Sequence, residues 1–242
     1  MPGEVILVGG GPGDPGLLTL AGLAALKSAD VIVYDRLAPL AVLDECPGEK
    51  IPVGKVPRGP FTPQEAINEM LVRHAREGKK VVRFKGGDSF VFGRGGEEWD
   101  YCLAHGVKVS TVPGVTSAVA VPELAGIPVT HRSLTQGFIT VSGHVGPSHP
   151  ESTVNWAALA QANLTIVILM GVQALPEITA ELVASGLDAA TPAAVIADGG
   201  LASQRVVRST LGQIAEAARQ AEIRPPAITV IGDVTTALKE LP

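Results

Sequence analysis

Two glycine-rich loops in this chain have residue types that could bind a ligand. The first follows a short apolar run and reads Gly-Gly-Gly-Pro-Gly-Asp-Pro-Gly over residues 9–16. It contains the GxGxxG spacing, and Asp35 follows a second apolar run about 20 residues later, as in folds that bind dinucleotides. A Rossmann-type dinucleotide oxidoreductase is therefore one interpretation of this loop.

Three residues of the same loop argue against a bound phosphate. Pro12 and Pro15 have no backbone N–H to donate, and Asp14 places a carboxylate where a phosphate would lie. A neutral or cationic ligand suits the loop better. A tight turn without a ligand is the structural alternative, but three consecutive glycines predict the close approach of another group.

The second loop follows the apolar run Val81 to Phe84 and covers residues 85–98. It reads Lys-Gly-Gly-Asp-Ser-Phe-Val-Phe-Gly-Arg-Gly-Gly-Glu-Glu, so glycines alternate with basic, acidic and aromatic residues. Proteins with parallel sheets bind ligands at the carboxyl ends of their strands. The sequence therefore predicts a functional site here rather than a solvated loop.

Strand-like runs rich in β-branched residues alternate with helical patterns along the chain, which predicts an α/β fold with mostly parallel sheets. One helix has readable ends: Thr62, Pro63 and Glu65 form a predicted capping box, and Gly78 ends the helix. The predicted strands are Val5 to Val8, Val31 to Tyr34, Val81 to Phe84, Val107 to Val112, Thr165 to Met170, Ala193 to Ile196 and Ala227 to Ile231.

Composition excludes several classes of protein. The formal net charge is -5 with mixed signs along the chain, so there is no basic patch for nucleic acid. Two distant cysteines do not suggest a disulfide framework. The first residues lack the pattern of a signal peptide, and no apolar run reaches the ~20 residues of a membrane span. A cytoplasmic protein is expected.

The chain character changes near residue 114, and a loop-like stretch covers residues 143–152. We therefore expect two α/β domains, residues 1–114 and residues 115–242. The first carries both glycine-rich loops.

Nine segments, taken in order, resemble the tetrapyrrole methylase family, and within it the branch of uroporphyrinogen-III C-methyltransferases. The similarity spans essentially the whole chain. Ser89 departs from the family pattern, which usually has proline there. The segments are residues 11–20, Tyr34 to Leu37, Val53 to Lys55, residues 81–98, Val112 to Ala118, Gly126 to Arg132, Met170-Gly171, Gln204 to Val207 and Val230 to Val234.

The resemblance implies a fold and a reaction. The fold would place cofactor and substrate in the cleft between the two domains, with the substrate trough in the first domain and the second completing the cofactor site. The reaction moves two methyl groups from S-adenosyl-L-methionine to pyrrole carbons of uroporphyrinogen III. The products are S-adenosyl-L-homocysteine and precorrin-2, in the sirohaem and cobalamin branch of porphyrin biosynthesis. The resemblance also implies a homodimer and no metal.

Site residues are carried over from the resemblance by position. Asp35 and Lys55 are candidates for proton acceptor and donor, and Arg94 and Glu97 for substrate orientation or proton removal. Arg132 and His131 are candidates for binding the substrate, which carries eight carboxylates. The candidates for cofactor binding are Pro12, Gly86, Gly87, Asp88, Val91, Thr116, Ser117, Met170, Gly199 and Ala227.

Several alternatives stay open. Either Asp35 or Glu97 could be the base, Asp35 could instead cap a strand end, and Met170 could be ordinary strand core. The acceptor could be a later corrin intermediate or another molecule such as diphthine. From other classes of protein come the dinucleotide oxidoreductase and a ligand-binding regulator without catalysis.

Overall fold

The computed structural model describes residues 3–54 and 62–238 and divides the chain into two compact units. Unit 1 covers residues 1–117 and unit 2 covers residues 118–242. The division predicted at residue 114 lies three residues before this one. Each unit has its own five-stranded sheet.

Unit 1 is built on a wholly parallel sheet with the strand order β3-β2-β4-β1-β5. All five strands therefore have their carboxyl ends at one edge, where the glycine-rich loops emerge. The elements are β1 Glu4–Gly9, α1 Leu20–Lys27, β2 Val31–Asp35, β3 Glu49–Val53, α2 Gln64–Arg76, β4 Lys80–Lys85, α3 Gly95–Ala104 and β5 Lys108–Val112.

The sheet of unit 1 is apolar on both faces because helices cover both. On one face Val5, Leu7 and Val81 pack against α2 through Ile67 and Leu71. The other face packs against α1 through Leu26. Such burial on both faces explains the nearly continuous apolar runs of β1 and β4.

Unit 2 has a mixed sheet with the order β6-β7-β10-β8-β9. Only β6 and β7 are parallel, and the other three pairings are antiparallel. The expectation of mostly parallel sheets is confirmed over the two units together, because all four pairings of unit 1 are parallel. The elements are α4 Ser117–Leu124, β6 Phe138–Ser142, α5 Trp156–Ala160, β7 Thr165–Leu169, α6 Leu175–Ala184, β8 Pro192–Ala197, β9 Arg205–Thr210, α7 Ile214–Gln220 and β10 Ala227–Ile231.

The core of unit 2 also lies on both sides of its sheet. One layer joins Ile166, Ile168 and Val195 to α6 and α7, and the other joins Val167 and Val230 to α4. The sheet thus holds the ends of β7, β8 and β10 rigidly beside one another.

One of the two predicted ends of helix α2 differs from the structure. Helix α2 has Pro63 as its N-cap and no side-chain hydrogen bond there, so the capping box from Thr62 is wrong. Its end is confirmed, because Gly78 adopts a φ of 84° directly after it.

None of the helices in the described part of the chain is both long and apolar enough to cross a membrane.

Candidate functional site

The two glycine-rich loops of unit 1 bind each other. Gly11 and Gly87 form an isolated antiparallel bridge, with the Gly87 N–H 2.7 Å from the Gly11 carbonyl oxygen and the Gly11 N–H 3.1 Å from the Gly87 oxygen. The Gly10 N–H also donates to the Lys85 carbonyl at 2.7 Å. Strands β1 and β4 are neighbours, so both loops leave the sheet side by side and form one site.

The run of three glycines is required by contacts within the protein. A Cβ at Gly9 would lie 2.5 Å from the backbone nitrogen of Gly114, and one at Gly10 would lie 2.7 Å from Cδ of Pro39. Both distances are shorter than real Cβ contacts. The group predicted to approach these glycines closely is therefore the chain itself.

The dinucleotide interpretation of the first loop is wrong. Strand β1 lies between β4 and β5, whereas the dinucleotide fold places it next to β2. The loop also leads into a short 3₁₀ helix, Pro15–Leu17, where Asp14 accepts the Gly16 N–H at 2.7 Å. Since α1 begins only at Leu20, no α-helix N-terminus directly follows the loop to bind a pyrophosphate.

Gly86 and Gly87 differ in what surrounds them. A Cβ at Gly86 would lie 2.7 Å from the carbonyl oxygen of Leu37, so glycine is needed there for packing. Gly87 has a φ of 65°, and a Cβ on it would meet only Ser117, at 3.3 Å from Oγ. Of the two positions, only Gly87 leaves its α-carbon open to another molecule.

The remaining predicted cofactor residues of unit 1 lie around this bridge. Both carboxylate oxygens of Asp88 accept backbone N–H groups, from Phe90 at 2.9 Å and from Gly114 at 3.1 Å. Asp88 therefore ties the second loop to the segment that leads into α4. Ser117 begins that helix and Thr116 directly precedes it, while Pro12 is half-buried and Val91 is exposed.

Arg94 and Glu97 form an exposed pair at the start of α3. The Arg94 guanidinium donates from Nε to Glu97 Oε1 at 2.8 Å and from an Nη to Oε2 at 2.6 Å. These hydrogen bonds lower the pKa of Glu97. Arg94 is the N-cap and has a φ of 58°, a left-handed conformation that is strained for arginine. The guanidinium lies against the first turn of α3, where it is bound to Glu97.

Asp35 ends β2 and contacts two buried cations that the sequence analysis missed. An Nη of Arg83 lies 2.6 Å from Asp35 Oδ1, and Lys85 Nζ lies 4.0 Å from Oδ2. Both cations also bind Glu98, whose side chain is fully buried. The available signal was the alternation Val-Arg-Phe-Lys in an otherwise apolar strand. Lys55, the predicted proton donor, lies outside the described residues.

Arg83 and Glu98 stabilise each other's charged form inside the unit. Burial by itself would raise the pKa of Glu98, but Arg83 and Lys85 outweigh burial and the pKa lies below its ordinary value. Burial would lower the pKa of Arg83, and the two carboxylates outweigh it and raise the pKa. For Lys85, burial and the charge of Arg83 together lower the pKa. Glu98 is therefore an anion inside the unit.

Three predicted cofactor residues of unit 2 lie at the same end of its sheet, where neighbouring strands end or begin. Met170 directly follows β7, Gly199 follows β8, and Ala227 begins β10. The antiparallel register places Ala227 beside Ala197 and the next residue of β10 beside Leu169. A Cβ on Gly199 would collide with Val121 of α4, so glycine is needed there for packing.

Met170 is not strand core, which was the structural alternative. Its side chain is 49% exposed, and its φ is 58°. A left-handed, exposed methionine costs stability and usually persists for a functional reason. Met170 therefore offers a flexible apolar surface at the edge of the unit 2 sheet.

His131 and Arg132 lie at the other end of the unit 2 sheet. His131 pairs with Thr135, whose hydroxyl donates to the Gly137 carbonyl just before β6. Strands β6 and β7 are parallel, so this turn lies at their amino ends, away from Met170. Arg132 is exposed and makes no hydrogen bond or ion pair with any other residue that the structure describes.

Ser89 leads to a prediction about stability. Its hydroxyl is fully buried, and no hydrogen-bond partner lies near it in the described structure. Ser89→Ala should therefore stabilise the protein by about 1 kcal/mol, which raises the melting temperature by roughly 2–4 °C. Differential scanning calorimetry measures this change.

Ser28→Ala is the matched control, because the exposed Ser28 hydroxyl donates to the Ala24 carbonyl at 2.9 Å. Its removal should not stabilise the protein. A lower melting temperature for Ser89→Ala would mean that this hydroxyl has a partner in solution.

Comparison with known proteins places these features in one family. The family model described as Tetrapyrrole (Corrin/Porphyrin) Methylases matches residues 4–215. A Methanosarcina barkeri protein named S-adenosyl-L-methionine-dependent uroporphyrinogen III methyltransferase is 51% identical over 96% of this chain and 92% of its own length. A siroheme synthase of Thiobacillus denitrificans is 45% identical over 99% of this chain, which spans 50% of that protein.

A solved structure agrees with the sequence comparisons. The uroporphyrin-III C-methyl transferase of Thermus thermophilus, complexed with S-adenosyl homocysteine, is 42% identical. Its structure superposes with a TM-score of 0.83 over 97% of this chain and all of that one. The family model covers most of the chain and the relatives exceed 40% identity, so the chain belongs to the tetrapyrrole (corrin/porphyrin) methylase family.

Proposed function

We propose that this protein is an S-adenosylmethionine-dependent methyltransferase that methylates two pyrrole carbons of uroporphyrinogen III to give precorrin-2. The observation that carries the proposal is the 51% identity to an S-adenosylmethionine-dependent uroporphyrinogen III methyltransferase, over nearly the full length of both chains. The Thermus structure complexed with S-adenosyl homocysteine supports the choice of cofactor.

The residues present suit S-adenosylmethionine, which supplies the methyl group when it is bound. Gly87 has an open α-carbon that only Ser117 faces, so a ligand can approach its backbone. The exposed side chains of Val91 and Met170 offer apolar surface for a neutral adenosine. We propose that these four residues bind the cofactor, together with Pro12, Asp88, Thr116, Gly199 and Ala227. We propose that Gly86 acts indirectly, because its packing against Leu37 fixes the turn.

The cations present suit the substrate, whose carboxylates call for guanidinium groups. We propose that Arg94, Arg132 and His131 bind substrate carboxylates. Glu97 holds Arg94 through two hydrogen bonds and so aims it. Position supports assigning Arg132 to the substrate and Met170 to the cofactor, because the two residues lie at opposite ends of the unit 2 sheet.

Proton removal is assigned to Asp35. Methylation of a pyrrole carbon leaves a cationic ring system, and this ring system must lose one proton to become neutral. The Asp35 side chain lies at the carboxyl ends of the unit 1 strands, held by a 2.6 Å bond from Arg83. We propose that Asp35 accepts this proton or stabilises the cation, a contribution of about 10²- to 10⁴-fold, and that Lys55 returns a proton.

One experiment tests the activity. The purified protein is incubated with S-adenosylmethionine carrying a labelled methyl group and with uroporphyrinogen III, and the product is examined by mass spectrometry. A doubly methylated product is expected. Absence of transfer to uroporphyrinogen III, with transfer to a later corrin intermediate, would move the protein to another branch of the family.

Arg132→Ala should weaken substrate binding specifically. The loss of a charge-assisted hydrogen bond costs about 1.5–3 kcal/mol, so KM for uroporphyrinogen III should rise by roughly 10- to 150-fold. The affinity for S-adenosylhomocysteine, measured by calorimetry, should not change. Loss of S-adenosylhomocysteine binding with a normal KM for the tetrapyrrole would reverse the assignment of the two binding regions.

We also propose that the protein is a cytoplasmic homodimer, as expected from its resemblance to the family. Light scattering after size-exclusion chromatography should give twice the mass of the 24.9 kDa chain.

A further inference from the structure

Four charged side chains form a continuous group in unit 1. Glu98 in the first turn of α3 accepts from Arg83 Nε at 2.9 Å and from Lys85 Nζ at 3.0 Å. Arg83 then donates to Asp35 at 2.6 Å, and Lys85 lies 4.0 Å from the other oxygen of Asp35. Two cations therefore bridge two carboxylates, and the formal charge of the group is zero.

The group runs from the interior to the strand edge. The side chain of Glu98 is 0% exposed, and those of Arg83 and Lys85 are each 3% exposed. Asp35, with 30% of its side chain exposed, is the one member of the four that reaches solvent. At the inner end Gln64 of α2 donates to Glu98 at 3.2 Å, which fixes the buried carboxylate from a second helix.

Strand geometry explains the arrangement. Arg83 and Lys85 are two residues apart on β4, so both side chains point to the face covered by α2 and α3. The register places Arg83 beside Val33 on β2, and Asp35 is two residues further along on the same face. The sheet therefore aims both cations at Asp35.

Stability alone is a poor reason to bury this group. Buried ion pairs lose the hydration of each charge, and replacing them with apolar residues of similar volume is often neutral or stabilising. Three of the four side chains are at most 3% exposed, and the two cations among them contact the carboxylate that reaches solvent. The arrangement is what a reaction needs if one anion must keep a fixed position and a fixed charge.

We propose that Glu98, Arg83 and Lys85 are positioning residues that act on methyl transfer through Asp35. Glu98 holds the two cations, and the cations hold the Asp35 carboxylate in one orientation at the carboxyl edge of the sheet. This inference rests on the proposed function and on Asp35 as the acting carboxylate. A purely structural group, which only ties α3 to the sheet, is the alternative.

A double-mutant cycle separates the two explanations, because residues that act as a unit have effects that do not multiply. One step is Asp35→Asn, and the other is the charge-balanced pair Lys85→Met with Glu98→Gln. We expect the balanced pair to lower kcat by at least about tenfold, with KM and S-adenosylhomocysteine affinity unchanged. Adding it to Asp35→Asn should lower kcat by less than about threefold more.

Two outcomes overturn the inference: a normal kcat for the balanced pair, or a full multiplication of the two losses in the combined variant. If the balanced pair does not fold, Glu98→Asp replaces it in the cycle, since it keeps the charge and withdraws the carboxylate by one methylene. The same two outcomes then decide whether the buried charges act on methyl transfer through Asp35.

The matched control is Glu216→Gln with Arg219→Met, an exposed pair on α7 with a 2.6 Å contact. This control should methylate at the normal rate. Failure of the unaltered protein to methylate uroporphyrinogen III would contradict the proposed function. An active unaltered protein with multiplying losses would contradict only the role of the buried charges.

Discussion

Gly87→Val should abolish the binding of S-adenosylhomocysteine while the protein remains folded. Gly87 has a φ of 65°, and among the described residues Ser117 alone lies within 4 Å of a Cβ added there. A branched side chain would fill the space in which we propose that the cofactor lies. The dissociation constant measured by calorimetry should rise by at least about 100-fold, or roughly 2.7 kcal/mol.

The fold should survive because the cost of the substitution is local. A non-glycine residue in the left-handed region costs about 1–2 kcal/mol, which is well below the 5–15 kcal/mol stability of a typical domain. Circular dichroism should therefore give the normal spectrum with a reduced melting temperature.

Gly106→Val is the matched control. Gly106 has a φ of 71° in the turn between α3 and β5, and nothing lies within 4 Å of an added Cβ. The control carries the same backbone strain and should keep its affinity for S-adenosylhomocysteine. Normal affinity in the Gly87 variant would place the cofactor elsewhere.

Gly86→Ala should differ from Gly87→Val, because its main effect should be on the stability of the fold. Its Cβ would lie 2.7 Å from the Leu37 carbonyl oxygen, which is backbone and cannot move aside cheaply. Stability should fall more than in the Gly87 variant. Adjacent glycines of one motif thus have different reasons to be glycine, and the sequence motif cannot distinguish them.

The strands that the sequence analysis missed are all edge strands. β3 is at one edge of the unit 1 sheet, and β6 and β9 are the two edges of the unit 2 sheet. Edge strands expose one side and carry polar or proline residues, as in Glu-Lys-Ile-Pro-Val of β3. The central strands are buried on both faces, so their apolar runs were recognisable.

The contacts between the two glycine-rich loops of unit 1 could not be predicted from the sequence either. The glycine spacing predicted a close approach, but the partner depends on which strands are neighbours. Because β4 lies next to β1, Gly87 meets Gly11, and the dinucleotide interpretation fails for the same reason. Helix and strand patterns contain the periodicity of each element and little about the order of strands.

The buried charged residues of unit 1 are another feature that the sequence did not predict. The sequence pattern assigns no role to Arg83 or Lys85. The resemblance to the family selects Glu97, and not Glu98, as a site residue. The structure separates the two acids: Glu97 is exposed and pairs with Arg94, whereas Glu98 points inward to the two cations of β4. Successive residues of a helix lie about 100° apart, so neighbouring acids reach different partners.

The second large effect concerns the two carboxylates that sequence reasoning left as competing bases. Asp35→Asn should lower kcat by about 10²-fold or more, because it removes the anion that we propose accepts the ring proton. KM for uroporphyrinogen III and affinity for S-adenosylhomocysteine should change little. Single-turnover measurement of methyl transfer detects the loss directly.

Glu97→Gln should act differently from Asp35→Asn. Arg94 donates to both carboxylate oxygens of Glu97, whereas Arg83 donates to one oxygen of Asp35, so Asp35 has the freer oxygen for a proton from the ring. The main contribution of Glu97 is then to aim Arg94, so the substitution should mainly raise KM for the tetrapyrrole. If Glu97→Gln instead loses kcat while Asp35→Asn keeps it, Glu97 is the base. If both variants have a normal kcat, neither carboxylate takes the proton, and alignment of substrate and cofactor by the arginines and glycines would have to account for the rate.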